Sequence, residues 1–346
     1  MKYKLFFNIY KVKVFFECND RLLYERIKKD FHCFLRENFN DVDIKIESNL
    51  VENIPWNLIP KMGANRQSRN SITYDKGNKR YNDYYGKLLS IYDYKLNIGK
   101  LYAKDIEKLH EISYLLILSI SGKKMDSMAL HKLHAFGVIY NKKAILGMMP
   151  SKGGKTTHLL EFLKDPDCNF ISDDTPVIGC LGKIYPFALR IGIEDPVKSF
   201  KVDKKYLYSI KREYFGTKKL ISIEGVPTHI SNSYNQVILF LGKRHHSNEC
   251  HIVQVGKLTI LSHLFTHMII GVGLPTVIEY FWKSGFRDFL LKTKIFFSRC
   301  LAAFALAFRS KNYIIYLGNN IEQNINSIKE LAMEKECIGK AFLKSA

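Results

Sequence analysis

Acidic residues are scarce in this chain of 346 residues: 33 Asp and Glu stand against 53 Lys and Arg, a formal net charge of +20. That imbalance favours acidic partners, among them nucleotides, nucleic acid, an acidic peptide or an anionic membrane surface, without choosing between them. Proline is rare (9) and glycine moderate (21), which excludes collagen-like and low-complexity chains. The seven cysteines are odd in number and form no CxxC pair, so neither a zinc ribbon nor a disulfide framework is expected, and a reducing, cytoplasmic setting fits best. Long apolar runs are missing too. The two longest, 264–282 and 295–308, are interrupted by His267, Glu279 or Arg299 and fall short of the ~20 residues that cross a bilayer. They read as buried helices or a membrane-surface element. The start, MKYKLFFNIYKVKVFFE, breaks its apolar residues with lysines and has no signal-peptide core.

What remains is globular, 47% hydrophobic and 25% charged, and large enough for one big or two smaller domains. Residues 3–16 alternate like a strand pair, and Asp20 opens a stretch to about residue 37 with apolar residues at helical spacing. VDIKIE (42–47) alternates as a strand, residues 71–100 read as an antiparallel meander, and a helix is expected from about 105 to 121. These elements make a small α+β N-terminal region over 1–125. From 126 to 346 the pattern changes to a nucleotide-binding domain with a mixed sheet and a mostly helical C-terminal part. There HAFGVIYNKKAILGMM forms two β-runs, followed by a Gly-rich loop, the helix THLLEFLKD and the strand NFISDD.

That loop, MPSKGGKTT over 149–157, resembles a phosphate loop, whose backbone N–H groups wrap phosphate oxygens at a helix N-terminus. Ser151, Lys152, Gly153, Gly154, Lys155, Thr156 and Thr157 are its candidate nucleotide-binding residues. Lys155 is placed to reach the β/γ-phosphates of a nucleotide and Thr156 to ligate Mg²⁺. Met149 stands where the pattern has its first glycine, and Gly153 offers the loop a left-handed position. Asp173 and Asp174 follow eighteen and nineteen residues after Lys155, at the end of an apolar strand. Phosphoryl transfer to a hydroxyl needs one carboxylate for Mg²⁺ and one to take the acceptor's proton. An Asp-Asp-Thr-Pro turn with solvated side chains is the plain alternative.

Together these residues resemble the C-terminal domain of the HPr serine kinase/phosphorylases and the wider HPr-kinase-related enzymes. The similar segments are LHAFGVIYNKKAILGMMPSKGGKTTHLLEFL (133–163), NFISDDTPVI (169–178) and GKIYPFALRIGI (182–193). The resemblance implies an ATP- and Mg²⁺-dependent kinase acting on a hydroxyl, foremost a Ser of a peptide or protein. It makes Asp173 the base and Asp174 a Mg²⁺ partner, two roles open to exchange. His134 would tune the carboxylate's charge, or be a hydrogen-bonded core histidine. Arg190 would neutralise phosphate, or lie on the surface after a strand. The glycine-rich second signature of the HPr enzymes is missing, so HPr itself and the phosphorylase reaction are not implied. RNA or a small hydroxyl compound as acceptor, and a regulatory nucleotide-binding protein without catalysis, are the competing readings; a homo-oligomer is compatible with all of them.

Eight basic residues lie between 198 and 219 (Lys198, Lys201, Lys204, Lys205, Lys211, Arg212, Lys218 and Lys219), and suggest either a basic wall beside the site or a solvated face. KRHH at 243–246 reads as a loop at the site's rim or plain surface. His245, His246, Cys250 and His251 are weak zinc candidates, because neighbours on a strand point to opposite faces.

Overall fold

The structure is a computed structural model describing residues 2–150, 152–193, 202–212, 216–226, 229–275 and 285–334, without the side chains of Arg212 and Arg287. The architecture is mixed α+β, with six α-helices among the described residues, labelled here α1 (Arg21–Asp30), α2 (Ile106–Ser127), α3 (Lys155–Phe162), α4 (Lys257–Leu264), α5 (Phe286–Arg309) and α6 (Ile321–Met333).

Residues 3–103 build one nine-stranded sheet. Its first hairpin pairs Tyr3–Ile9 with Val12–Cys18 about Tyr10 and Lys11, both with positive φ. Strand residues alternate between buried and partly exposed, as expected of a sheet covered on one face. Ile44–Leu50 runs parallel to Val12–Cys18, and Ile98–Ala103 runs parallel to Ile44–Leu50. The antiparallel meander of 72–103 is therefore fused to the hairpin rather than standing apart.

Helix α1 starts where Asp20 accepts a hydrogen bond from the Leu23 amide at 2.8 Å. It stops at Asp30, short of the expected end, because Phe31 leaves helical geometry and buries its ring against Phe7. Helix α2 is capped by Asp105 and runs to Ser127, six residues beyond expectation. It is buried nearly all round, which is why its apolar residues show little one-sided periodicity. One flank, including Leu109, Leu116 and Ile117, joins the core of the N-terminal sheet. The other faces the second half of the chain, and Val177, Phe187 and Leu189 from that half complete the same core.

The second half is layered. A six-stranded mixed sheet has the order 169–172, 136–140, 143–148, 236–244, 310–317, 251–254. Alternating residues serve two cores: Ile145, Ile238 and Phe240 meet α3 and α6, while Leu146, Met148, Leu239 and Leu241 meet α4 and α5. Strands 143–148 and 169–172 both pair antiparallel with 136–140 and hence run the same way, with α3 as their connection. The site is placed by this crossover, since the loop leaves one of these strands and the carboxylates end the other.

Candidate active site

Met149 is the first residue past the strand, and its side chain turns inward, fully buried in the core under α3. The loop then bends through Lys152 at φ 59° and Gly154 at φ 94°. Gly153, the expected left-handed position, is not one of them; it is required for closeness, since a Cβ there would stand 2.8 Å from the Pro150 carbonyl oxygen. Ser151 lies outside the described residues. Gly154 caps α3, and its carbonyl accepts from His158 Nδ1 at 2.9 Å. Burial pushes the His158 ring down in pKa, which keeps it a neutral clamp on the loop.

Lys155 and Thr156 open the helix and point to the strand end. Lys155 Nζ donates to the Met149 carbonyl at 3.1 Å and lies 3.7 Å from Asp174 Oδ1. The Thr156 hydroxyl donates to Asp173 Oδ1 at 2.8 Å, while the Gly192 amide reaches Asp173 Oδ2 at 3.4 Å. Asp174 receives instead His134 Nε2 at 3.2 Å. Backbone bonds hold this turn rigidly: the Ala135 amide donates to the Asp174 carbonyl at 3.2 Å and the Leu133 amide to that of Pro176 at 2.9 Å. Ser172 secures the strand end by donating to the Phe187 carbonyl.

Two adjacent carboxylates thus sit in different surroundings. Burial, and then the neighbouring Asp174 charge, push Asp173 up to about 6, which Thr156, Lys218 and the Gly192 amide only partly offset. Burial acts on Asp174 in the same direction but is outweighed by the His134 hydrogen bond and charge and by Lys155 and Lys218, which hold it below the usual carboxylate range. Splitting a carboxylate pair in this way assigns the two members to different tasks.

Both carboxylates open onto a cavity of about 560 Å³. Its opposite wall is N-terminal: Glu111, Tyr114 and Leu115 of α2. Ile210, Leu220 and Leu274 add apolar surface to a lining that is otherwise rich in polar groups, and Lys218 supplies a positive charge near the aspartates. Lys218 comes from the basic segment; of its neighbours there, Lys204, Lys205, Lys211 and Lys219 are exposed, and Lys198 and Lys201 lie outside the described residues. One lysine of that run, not a wall of them, meets the cavity among the described residues.

Arg190 also borders the cavity, but its charge is spent elsewhere. It donates to Asp30 Oδ1 at 2.8 Å and stacks on the Tyr114 ring at 3.7 Å. His110 and Tyr208 complete the hydrogen bonding of Asp30, which is wholly buried. Arg190 is not a surface residue: its side chain is 9% exposed and ties the second half of the chain to α1.

Of three further residues near the site, only Arg244 carried a sequence signal, as part of the KRHH segment read as the site's rim or plain surface. Arg244 donates to the Lys152 carbonyl at 2.9 Å and braces the loop. His267 lies 5.5 Å from the His134 ring, and burial, helped by the charges of His134 and Lys155, pushes it down to about 4. Gly273, at φ 90°, packs flat on His134 where a Cβ would be 2.1 Å from the ring. A basic residue after a strand, a histidine in an apolar helix and a glycine in a loop are each common for other reasons. The KRHH histidines lie apart: His245 packs edge-on against His251 at 5.7 Å, and no group of three metal-ligating His, Cys, Asp or Glu occurs among the described residues.

A divalent cation at Thr156 and Asp173 would therefore draw its other ligands from phosphates and water, the usual coordination of Mg²⁺. The donors suit it: a hydroxyl and a carboxylate already in register, the latter carrying a raised pKa that a cation would relieve. No helix among the described residues is long and apolar enough to cross a membrane. The chain matches no known protein-family model and no curated protein.

Proposed function

We propose that the chain is an ATP- and Mg²⁺-dependent kinase, related to the HPr-kinase-like enzymes, that transfers the γ-phosphate to a hydroxyl, foremost that of a Ser in a peptide or protein. The observation that carries this reading is the divided carboxylate pair, with Thr156 on Asp173 and His134 and Lys155 on Asp174, facing a cavity at the end of a phosphate-type loop.

The contacts favour the exchanged assignment of the two roles. Asp173 shares Thr156 with the loop and belongs to the metal side. Asp174 is held as an anion and faces the cavity, so it serves as the base. When bound, Mg²⁺ would neutralise charge on the β- and γ-phosphates. Lys155 would exchange its hold on the Met149 carbonyl for those phosphates. The acceptor hydroxyl enters the cavity beside α2 and gives its proton to Asp174. Its oxygen bonds to the γ-phosphorus as the bond to the β,γ-bridging oxygen breaks and ADP departs. The proton leaves Asp174 for solvent, and His134 orients the carboxylate throughout. A walled cavity of about 560 Å³ suits a side chain or a compact molecule better than an RNA duplex.

Calorimetric titration with ATP and Mg²⁺, followed by incubation of labelled ATP with Ser peptides, RNA and small hydroxyl compounds, tests this. Saturable binding that is lost in Lys155→Ala, with label on one acceptor class, is expected. Unaltered ATP binding by Lys155→Ala would remove the loop assignment. Binding without transfer to any acceptor would favour the regulatory reading.

A further inference from the structure

Helix α5 carries two apolar faces. Ala302, Ala303, Leu306 and Ala307 pack inward on the six-stranded sheet, as a surface helix should, and Ile295 is buried as well. The outward face is as apolar as the inner one. Phe286 is 75% exposed, Phe297 60%, Leu301 66%, Phe304 50% and Phe308 63%, with Phe289, Leu290 and Phe296 beside them. At 100° per residue these eight fall on one stripe that runs the whole length of the helix. The six phenylalanines alone expose roughly 700 Å² if a fully exposed ring side chain counts about 200 Å². A monomer's largest apolar patch is usually ~300–600 Å² and one side of a standard interface about 800 Å². With its two leucines, this stripe has the size of an interface.

We propose that a second copy of the chain covers this face, α5 against α5, antiparallel about a two-fold axis near Phe297. Leu290, Phe297 and Phe304 recur every seven residues, as do Leu301 and Phe308, the spacing that keeps a seam between two packed helices. The stripe is self-complementary under that symmetry: Phe297 meets its own copy, Leu290 meets Phe304, and Phe286 meets Phe308. Its composition carries no charge that pairing would bury. Among the described side chains, the charged residues that flank it, apart from Lys294, are already engaged by the chain itself. Asp288 holds Lys123 at 3.2 Å and Lys292 at 3.3 Å, Arg299 holds Asp126 at 2.6 Å, and Arg309 donates to the Leu181 carbonyl at 2.8 Å. An anionic bilayer would need a row of basic residues along the stripe, and among the described side chains of α5 only Lys294 is an exposed cation without one of these bonds. Self-association is therefore the better match, and it is independent of the phosphate-transfer reading.

Sedimentation of the full chain, at roughly micromolar concentration where an interface of this size holds, tests the proposal. A species of twice 40.2 kDa is expected, halved in mass by Phe297→Glu and retained by Phe297→Leu. Phe297→Cys should cross-link to its own copy on mild oxidation, and Phe286→Cys should cross-link only when mixed with Phe308→Cys. Circular dichroism on the same variants shows that they remain folded, as expected for so exposed a position. A wild-type monomer, or a dimer that survives Phe297→Glu, would overturn the proposal. So would a monomer that floats with phosphatidylserine vesicles, which would assign the face to a lipid surface.

Discussion

The Thr156 hydroxyl lies 2.8 Å from Asp173, while the next residue, Asp174, is held by His134 at 3.2 Å. Neighbours in sequence are thereby committed to opposite sides of one site. Asp173 locks the first turn of α3 to the strand end, and Asp174 looks into the cavity walled by α2. The strand ends at Ser172, and the bend through Asp173 and Asp174 turns the two side chains to different partners.

The division predicts different failures for the two aspartates. Asp174→Asn should bind ATP within a few-fold of the parent and lose transfer by roughly 10²–10⁴, the range of general-base contributions. Asp173→Asn should instead raise the Mg²⁺ concentration needed for half-maximal transfer. Rates measured across a Mg²⁺ series separate the two. If Asp174→Asn keeps full transfer while Asp173→Asn loses it at every Mg²⁺ level, the roles are the other way round.

Asp173 also predicts a pH signature. Its carboxyl titrates at about 6 in the folded chain against 3.8 as an ordinary carboxyl. The native state therefore holds the proton more tightly, so this group favours folding at low pH and the benefit is lost as pH rises through 6. Asp173→Asn cannot ionise. Without Mg²⁺, its melting temperature should exceed that of the parent above pH 6, by roughly 2 °C or more, and the difference should vanish below pH 4. Melting curves of both proteins from pH 4 to 8 decide this, and a constant difference would show that Asp173 does not carry the shift.

The parts of this site that were legible are the local ones. Strand, loop, helix and strand from 136 to 172 follow from period and from Gly154-Lys155-Thr156, and the structure differs there only at element ends and in which loop residues take positive φ. The parallel pairing of 44–50 with 98–103 carries no local mark, because two alternating strands are compatible with many partners. The cavity escaped for the same reason: its walls come from residues 111 to 275, and no spacing rule brings Leu115 opposite Asp174. Arg190 shows the limit most plainly. Its place after a strand, in a segment resembling a kinase signature, suggested phosphate or surface, and no local rule shows that a buried aspartate 160 residues away pairs with it.

That ion pair should behave as a structural link. Asp30 has no exposure and is held ionised, against the cost of burial, by Arg190 and then His110. Removing one partner leaves a buried charge uncompensated, so Asp30→Ala or Arg190→Ala should destabilise by about 3–5 kcal/mol. Denaturant titration should show the loss. If Arg190→Ala keeps parental stability but loses ATP affinity, the arginine serves phosphate after all.

Met149 is where the loop departs from the usual phosphate-loop pattern, and the fold explains how that departure is accommodated. The side chain is fully buried and joins the core under α3, near enough to Gly242 that a Cβ there would stand 3.0 Å from it. Met149→Gly would restore the pattern but empty that space. The expected result is a loss of about 2–5 kcal/mol, as for large-to-small core changes, with no gain in ATP affinity. Gly153→Ala makes the converse test: it leaves the core intact but drives a methyl onto the Pro150 carbonyl, so ATP affinity should fall while stability changes less. Calorimetric ATP titration and thermal melting of both variants measure the two axes. Tighter ATP binding by Met149→Gly at parental stability would mean that residue 149 shapes the nucleotide site directly and not through the core.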